Sequence, residues 1–135
     1  MKKKVYVIMT VLCACMLFAF MPAKNYQNPP WVVPDAAKAK ANPVKSDAAS
    51  LATGKELYAT HCKSCHGTKG KGDGPKASQL DTECGDFTKA SFQAQTDGAI
   101  FYKTAEGRKD MPSFKKKIAE ANDIWAVINY VRSLK

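Results

Sequence analysis

Five consecutive residues, Cys62-Lys63-Ser64-Cys65-His66, constrain this chain more than any other feature of its sequence. Two thiols three positions apart, with a histidine directly after the second, form the C-x-x-C-H pattern of covalent c-type haem attachment. The spacing has a chemical reason. At the end of a helix, two such thiols reach both vinyl groups of one porphyrin, and the adjacent imidazole projects beneath the iron as its proximal ligand. A cofactor fixed in this way becomes part of the core. That matters for a chain of 135 residues, which has room for one domain with appendages and buries only a modest share of its surface on its own.

Two other chemistries use a C-x-x-C pair. A thioredoxin-type redox pair requires a βαβ setting, and strand signals are weak throughout this chain. A zinc site needs four ligands, and only His61, His66 and Cys84 could complete one, at spacings that fit no common zinc pattern. The five cysteines (Cys13, Cys15, Cys62, Cys65 and Cys84) do not make an even disulfide framework.

The N-terminus carries an address. Lys2, Lys3 and Lys4 precede Val5–Met21, a run of 17 uncharged residues closed by Pro22. Residues 1–22 read as an export signal or membrane anchor rather than as part of the fold. The run is just long enough to span a bilayer, and the lysines would stay on the cytoplasmic side, which places the remainder on the periplasmic side. Three outcomes are compatible with it: a retained anchor, ordinary cleavage, or lipidation at Cys15 within Leu12-Cys13-Ala14-Cys15. Residues 23–46 hold Pro29, Pro30, Pro34 and Pro43 among Ala, Lys and Asn, which predicts an extended linker. Trp31, Val32 and Val33 lie within it, and a purely flexible spacer would not need them.

Residues 47–135 read as the domain. Leu51, Leu57, Tyr58, Cys62 and Cys65 recur at helical spacing, with Gly54 interrupting. Residues 67–76 are rich in Gly and Lys and predict a loop. Thr96–Glu106 predicts a short helix with Thr96 as cap and Gly107 as stop. From Glu120 to Leu134, Ile124, Trp125, Ile128, Val131 and Leu134 form one apolar stripe. The expected class is all-α: a few short helices and long loops, an odd layout without a cofactor to wrap.

The second axial ligand follows by elimination. Beyond the N-terminal run the chain has one methionine, Met111, and its other histidine, His61, adjoins the attachment motif and cannot reach the opposite haem face. Met111 sits in Lys109-Asp110-Met111-Pro112-Ser113-Phe114. A lone methionine usually fills a gap in a core, but one in a polar loop before proline, 45 residues after His66, is better explained as an iron ligand. His/Met ligation closes both faces of the iron and raises its reduction potential.

These residues together resemble a class I cytochrome c over residues 47–135. The resemblance rests on Gly54-Lys55-Glu56-Leu57-Tyr58, Cys62 to Gly67, Gly70 to Pro75, Met111 to Phe114, and Asp123 to Val131. It implies a fold in which N- and C-terminal helices cross beside the haem, with Gly54 allowing close approach and Tyr130 packed at the crossing. It implies that the Pro75 carbonyl accepts a hydrogen bond from the proximal His66, a contact that orients the ring, and that Phe87, Phe114 and Trp125 wall the haem pocket. Residues 77–95, with Cys84, fall in a family-variable region where a free buried thiol or a pairing with another chain is expected. Residues 23–46 have no counterpart in the minimal family fold, and docking against a larger membrane complex is the expectation for them.

The functional expectation is electron transfer by one covalent haem c, with iron held by His66 and Met111. Its alternatives are a dedicated cytochrome subunit of a respiratory membrane complex, and a haem enzyme or sensor with an open iron site. The formal net charge is +9, and about +6 without the three N-terminal lysines. The remaining lysines are scattered and no Arg-rich arm or aromatic-interleaved motif for nucleic acid is present. A solvated basic face is the ordinary account, and docking of an acidic redox partner or membrane-complex subunit is the functional one.

Overall fold

The structure is a computed structural model, and it describes residues 29–135. The apolar run at 5–21 and Cys15 lie outside the described residues. Among the described residues no helix is long and apolar enough to cross a membrane.

Among the described residues six α-helices follow one another: α1 (Asp35–Lys38), α2 (Ala48–His61), α3 (Lys63–His66), α4 (Ala90–Gln93), α5 (Asp97–Glu106) and α6 (Ala121–Ser133), with a 3-10 turn at Ala77–Gln79. The described residues contain no strand, only an isolated bridge between Arg108 and Met111. The all-α expectation holds.

Local chemistry sets the helix ends. Asp47 accepts from the Ser50 backbone N–H at 2.9 Å, and its own N–H donates to Ser50 Oγ at 3.1 Å. This reciprocal capping box satisfies two orphan donors, and such a cap stabilises by about 1 kcal/mol. Thr96 Oγ1 accepts from the Ala99 N–H at 3.2 Å and starts α5. Gly107 ends it at φ 70°, where a Cβ would lie 2.6 Å from the Met111 carbonyl oxygen and 2.5 Å from the Pro112 carbonyl carbon. Only glycine serves there: the backbone is left-handed, and the following loop closes against it.

The core lies where α2 crosses α6. A Cβ on Gly54 would sit 2.1 Å from the Ala126 carbonyl oxygen, so the two backbones touch at this point. Tyr58 and Tyr130 pack beside the crossing with ring centroids 5.2 Å apart. Tyr58 is 2 % exposed and donates its hydroxyl proton to the Gly67 carbonyl at 2.6 Å, tying α2 to the loop after the haem motif. On α6, Ile124, Val127, Ile128 and Val131 are buried. Trp125 is buried too, but on another side of the helix, stacked on Phe101 of α5 at 4.1 Å. Arg132 fastens the end of α6 to the α4–α5 region through Asp97 at 2.8 Å and the Gln93 carbonyl at 2.8 Å.

Residues 29–46 are not a loose linker. Val33 is buried, α1 lies against Gly98 at the start of α5, and Asn42 donates to Asn129 Oδ1 of α6 at 2.8 Å. Asn129 in turn donates to the Val44 carbonyl at 3.1 Å. Prolines straighten this stretch, but its amide and carbonyl groups find partners on the helices, and that allows an extended segment to lie down on a core. It forms a strap over α5 and α6.

Candidate functional site

Among the described residues the helices enclose a cavity of about 310 Å³, a volume suited to a cofactor. Cys62, Cys65 and His66 lie on its wall, brought there by the turn from α2 into α3, where Cys62 donates its N–H to the Tyr58 carbonyl at 2.9 Å. Met111 lines the same cavity, delivered by the loop after α5. Residues 49 positions apart in sequence, Cys62 and Met111, thus border one space.

The Met111 loop is tied on both sides. Arg108 and Met111 exchange backbone hydrogen bonds at 2.8 and 3.0 Å. Asp110 Oδ2 accepts from the Thr82 N–H at 2.9 Å and from its hydroxyl at 2.7 Å. These bonds leave the Met111 side chain, which takes part in none of them, pointed by a fixed backbone.

The chemistry of the donors suits an iron porphyrin. Burial, and the neighbouring Cys65 after it, push the Cys62 thiol up to about 12, so as a free group it is a neutral thiol in an apolar setting. Burial holds the His66 imidazole below its ordinary range, with the Gly85 backbone opposing, and the neutral imidazole is the form that binds metal. His66 Nδ1 is buried with no hydrogen-bond partner. An imidazole so placed lacks an interaction that its surroundings demand, as a residue built to hold a cofactor would. Among the described residues no group of three or more His, Cys, Asp and Glu is placed to hold a metal ion by itself, so a zinc site lacks its ligand set. The residues fit haem.

Phe87 and Phe114 line the cavity. Phe87 stacks on the His66 ring with centroids 4.4 Å apart, and Phe114 meets the His61 ring edge-on at 5.9 Å. Trp125 does not line it. Successive residues of a helix turn by about 100°, so the face that brings Val127, Ile128 and Val131 to the cavity carries Trp125 away to Phe101. Pro75 is exposed, and the bond from His66 Nδ1 to its carbonyl is not formed. The loop around it is instead closed by Gly74 donating to the Cys65 carbonyl at 3.1 Å and Lys76 to the Ser64 carbonyl at 2.9 Å, while Phe87 sets the ring. Cys84 is a free, half-buried thiol on the cavity wall, raised by burial first and then by Cys65.

Among the wall residues that were not expected are Trp31, Lys103 and Arg108. Trp31 had a signal, a large aromatic inside a proline-rich stretch. The two cations had none, because only the fold brings them to it.

A chain of the reducing HAO-like protein complex of Kuenenia stuttgartiensis is similar in structure, with a TM-score of 0.63 and 28 % identity. The match covers 81 % of this chain and 52 % of that one, so this chain corresponds to about half its length. No curated protein matches the chain. The family model for cytochrome c matches residues 51–135, the span that holds Cys62, Cys65, His66 and Met111. The chain belongs to the cytochrome c family, whose members carry covalent haem c and its iron in electron transfer.

Proposed function

We propose that this chain is an exported, membrane-tethered electron carrier whose haem iron is held by His66 and Met111. The observation that carries the reading is that Met111 borders the same cavity as Cys62, Cys65 and His66. When bound, the haem supplies a one-electron iron couple. The chain does the rest. Cys62 and Cys65 would tether the porphyrin and His66 would hold the iron from the attachment side. The fastened loop presents the Met111 thioether, a ligand that raises the potential and closes the iron to small molecules. Phe114, 4 % exposed, and Ile128, fully buried, line the cavity and exclude water from it.

Replacing Met111 with alanine tests the ligation. The variant should bind carbon monoxide in its ferrous form and show a lower potential, while the parent protein binds it slowly at neutral pH. An unchanged potential in Met111→Ala would show that another group holds the iron. Export and tethering rest on Lys2–Lys4 and the uncharged run that follows. The mass of the mature N-terminus tests them and distinguishes a retained anchor, cleavage and lipidation at Cys15.

A second reading has its own support, since the structural neighbour belongs to a protein complex. This chain would then be a dedicated subunit rather than a free carrier. Purification from its native membrane in mild detergent decides between the two, because a stable co-purifying complex displaces the free carrier.

A further inference from the structure

The strap and the cavity meet at one place. Trp31, near the start of the strap, lies on the cavity wall together with Lys103 of α5 and Arg108 of the Met111 loop. The Arg108 guanidinium sits 4.7 Å from the centre of the Trp31 ring, and Lys103 Nζ sits 5.8 Å from it. Arg108 also donates to the Pro29 carbonyl at 3.1 Å, and Lys103 donates to Gln95 Oε1. Among the described residues these partners are neutral. The acidic groups on the same wall are Glu83 and Asp110, and Asp110 is engaged by Thr82. Among the described residues neither Lys103 nor Arg108 forms an ion pair.

Two like charges held side by side, each half-buried, repel one another in a medium that screens them poorly. Burial and then the charge of Arg108 lower the Lys103 ammonium from its ordinary range. An anion set beside the pair would relieve that repulsion. The group that belongs in this cavity brings two: the porphyrin of haem c carries a pair of propionate carboxylates. We propose that residues 29–46 form part of the haem pocket, with Trp31 holding Arg108 and Lys103 at the cavity as a paired cation site for the two haem propionates. The strap, which lies outside the 51–135 family match, then becomes one side of the cofactor site. The inference does not depend on which residue is the sixth ligand.

The test uses the full haem-loaded chain and its reduction potential as a function of pH. Cations that oppose a carboxylate lower its pKa by about 1–3 units, so the propionates of the parent protein should stay ionised and its potential should be flat from roughly pH 5 to 8. In the double variant Lys103→Gln with Arg108→Gln, the propionates should ionise within that window. The potential should then fall as pH rises, because each new negative charge favours ferric iron, and it should lie below the parent's at pH 8. Arg108→Lys should keep the flat profile. Trp31→Ala, which loosens both cations, should give an intermediate slope. His61, Glu83, Cys84, Lys109 and Asp110 also border the cavity, but they are common to every variant, so the difference between profiles isolates the propionates. If the double variant does not mature, Lys103→Gln and Trp31→Ala give the same readout separately. Variant profiles that superimpose on the parent's would overturn the proposal. That result is distinct from failure of the Met111 assignment, which shows in the Met111→Ala potential alone.

Discussion

Gly54→Ala offers the sharpest test of how the haem cavity is built. The added Cβ would stand 2.1 Å from the Ala126 carbonyl oxygen, 2.6 Å from its carbon and 3.0 Å from Tyr130 Cβ. Two of these atoms are backbone of α6 and cannot rotate away. Carbon contacts settle at about 3.5 Å, so the helices must part by roughly 1 Å. Alanine gains about 1 kcal/mol of helix propensity over glycine, while overpacking costs about 1–3 kcal/mol and at times more. Parting the helices also strains the bonds of Asn129 to Val44 and to Ser50, at 3.1 and 3.3 Å. A net loss of about 2 kcal/mol is expected, which for a domain of this size lowers the melting temperature by on the order of 10 °C. Thermal unfolding followed by far-ultraviolet circular dichroism and by haem absorbance measures it. Gly85→Ala is the control, since its Cβ would meet only Phe87 Cε1, at 4.0 Å, and it should move the midpoint by less than about 0.5 kcal/mol. A Gly54→Ala midpoint equal to or above the parent's would refute the claim that backbone contact sets the crossing.

Other perturbations read other parts of the molecule. The hydrogen bond from the Thr82 hydroxyl is the main cause holding the Asp110 carboxyl below its ordinary range. A depressed folded-state value means that this clasp stabilises above the ordinary carboxylate pKa, about 3.9, and is lost as pH falls through the lowered value. On the proposed Met111 ligation, acid titration of the weak methionine-to-iron charge-transfer band should therefore show loss of ligation at higher pH in Thr82→Val than in the parent. Arg132→Gln removes the ion pair with Asp97 at 2.8 Å and should lower stability by about 2 kcal/mol, read as the midpoint of urea unfolding. Gly98→Ala places a Cβ 2.1 Å from the Ala37 carbonyl oxygen and 2.6 Å from that of Lys40, so it should lift the strap. Trypsin should then cut after Lys38 and Lys40 faster than in the parent, and equal rates would count against a docked strap.

The haem motif, the helix spans and the crossing were legible because each is written locally. Thr96 and Gly107 mark their own helix ends, and Gly54 announces a close approach by lacking a side chain where the pattern calls for one. Met111 was singled out for a different reason: the chain beyond residue 22 holds no other methionine. What escaped was directional or distant. An apolar stripe lists both Trp125 and Val127 as buried, yet only the neighbouring helix decides that one faces Phe101 and the other the cavity. Pro75 matched a family pattern in sequence, but a hydrogen bond depends on ring orientation, and Phe87 sets that from 21 residues beyond His66. Proline content predicted an extended linker, and said nothing of the Asn42–Asn129 contact that pins this segment down.

The docked strap also fixes a leash. If the apolar run to Met21 is held in a membrane, the chain is fastened to the domain by Pro29, whose carbonyl accepts from Arg108, and residues 22–28 lie between in sequence. Seven residues reach at most about 25 Å even when fully extended. A strap that lay free would have added 18 more residues and more than doubled that reach. Such a domain could swivel over its anchor but not roam, so electrons would leave it only for partners standing in the same patch of membrane.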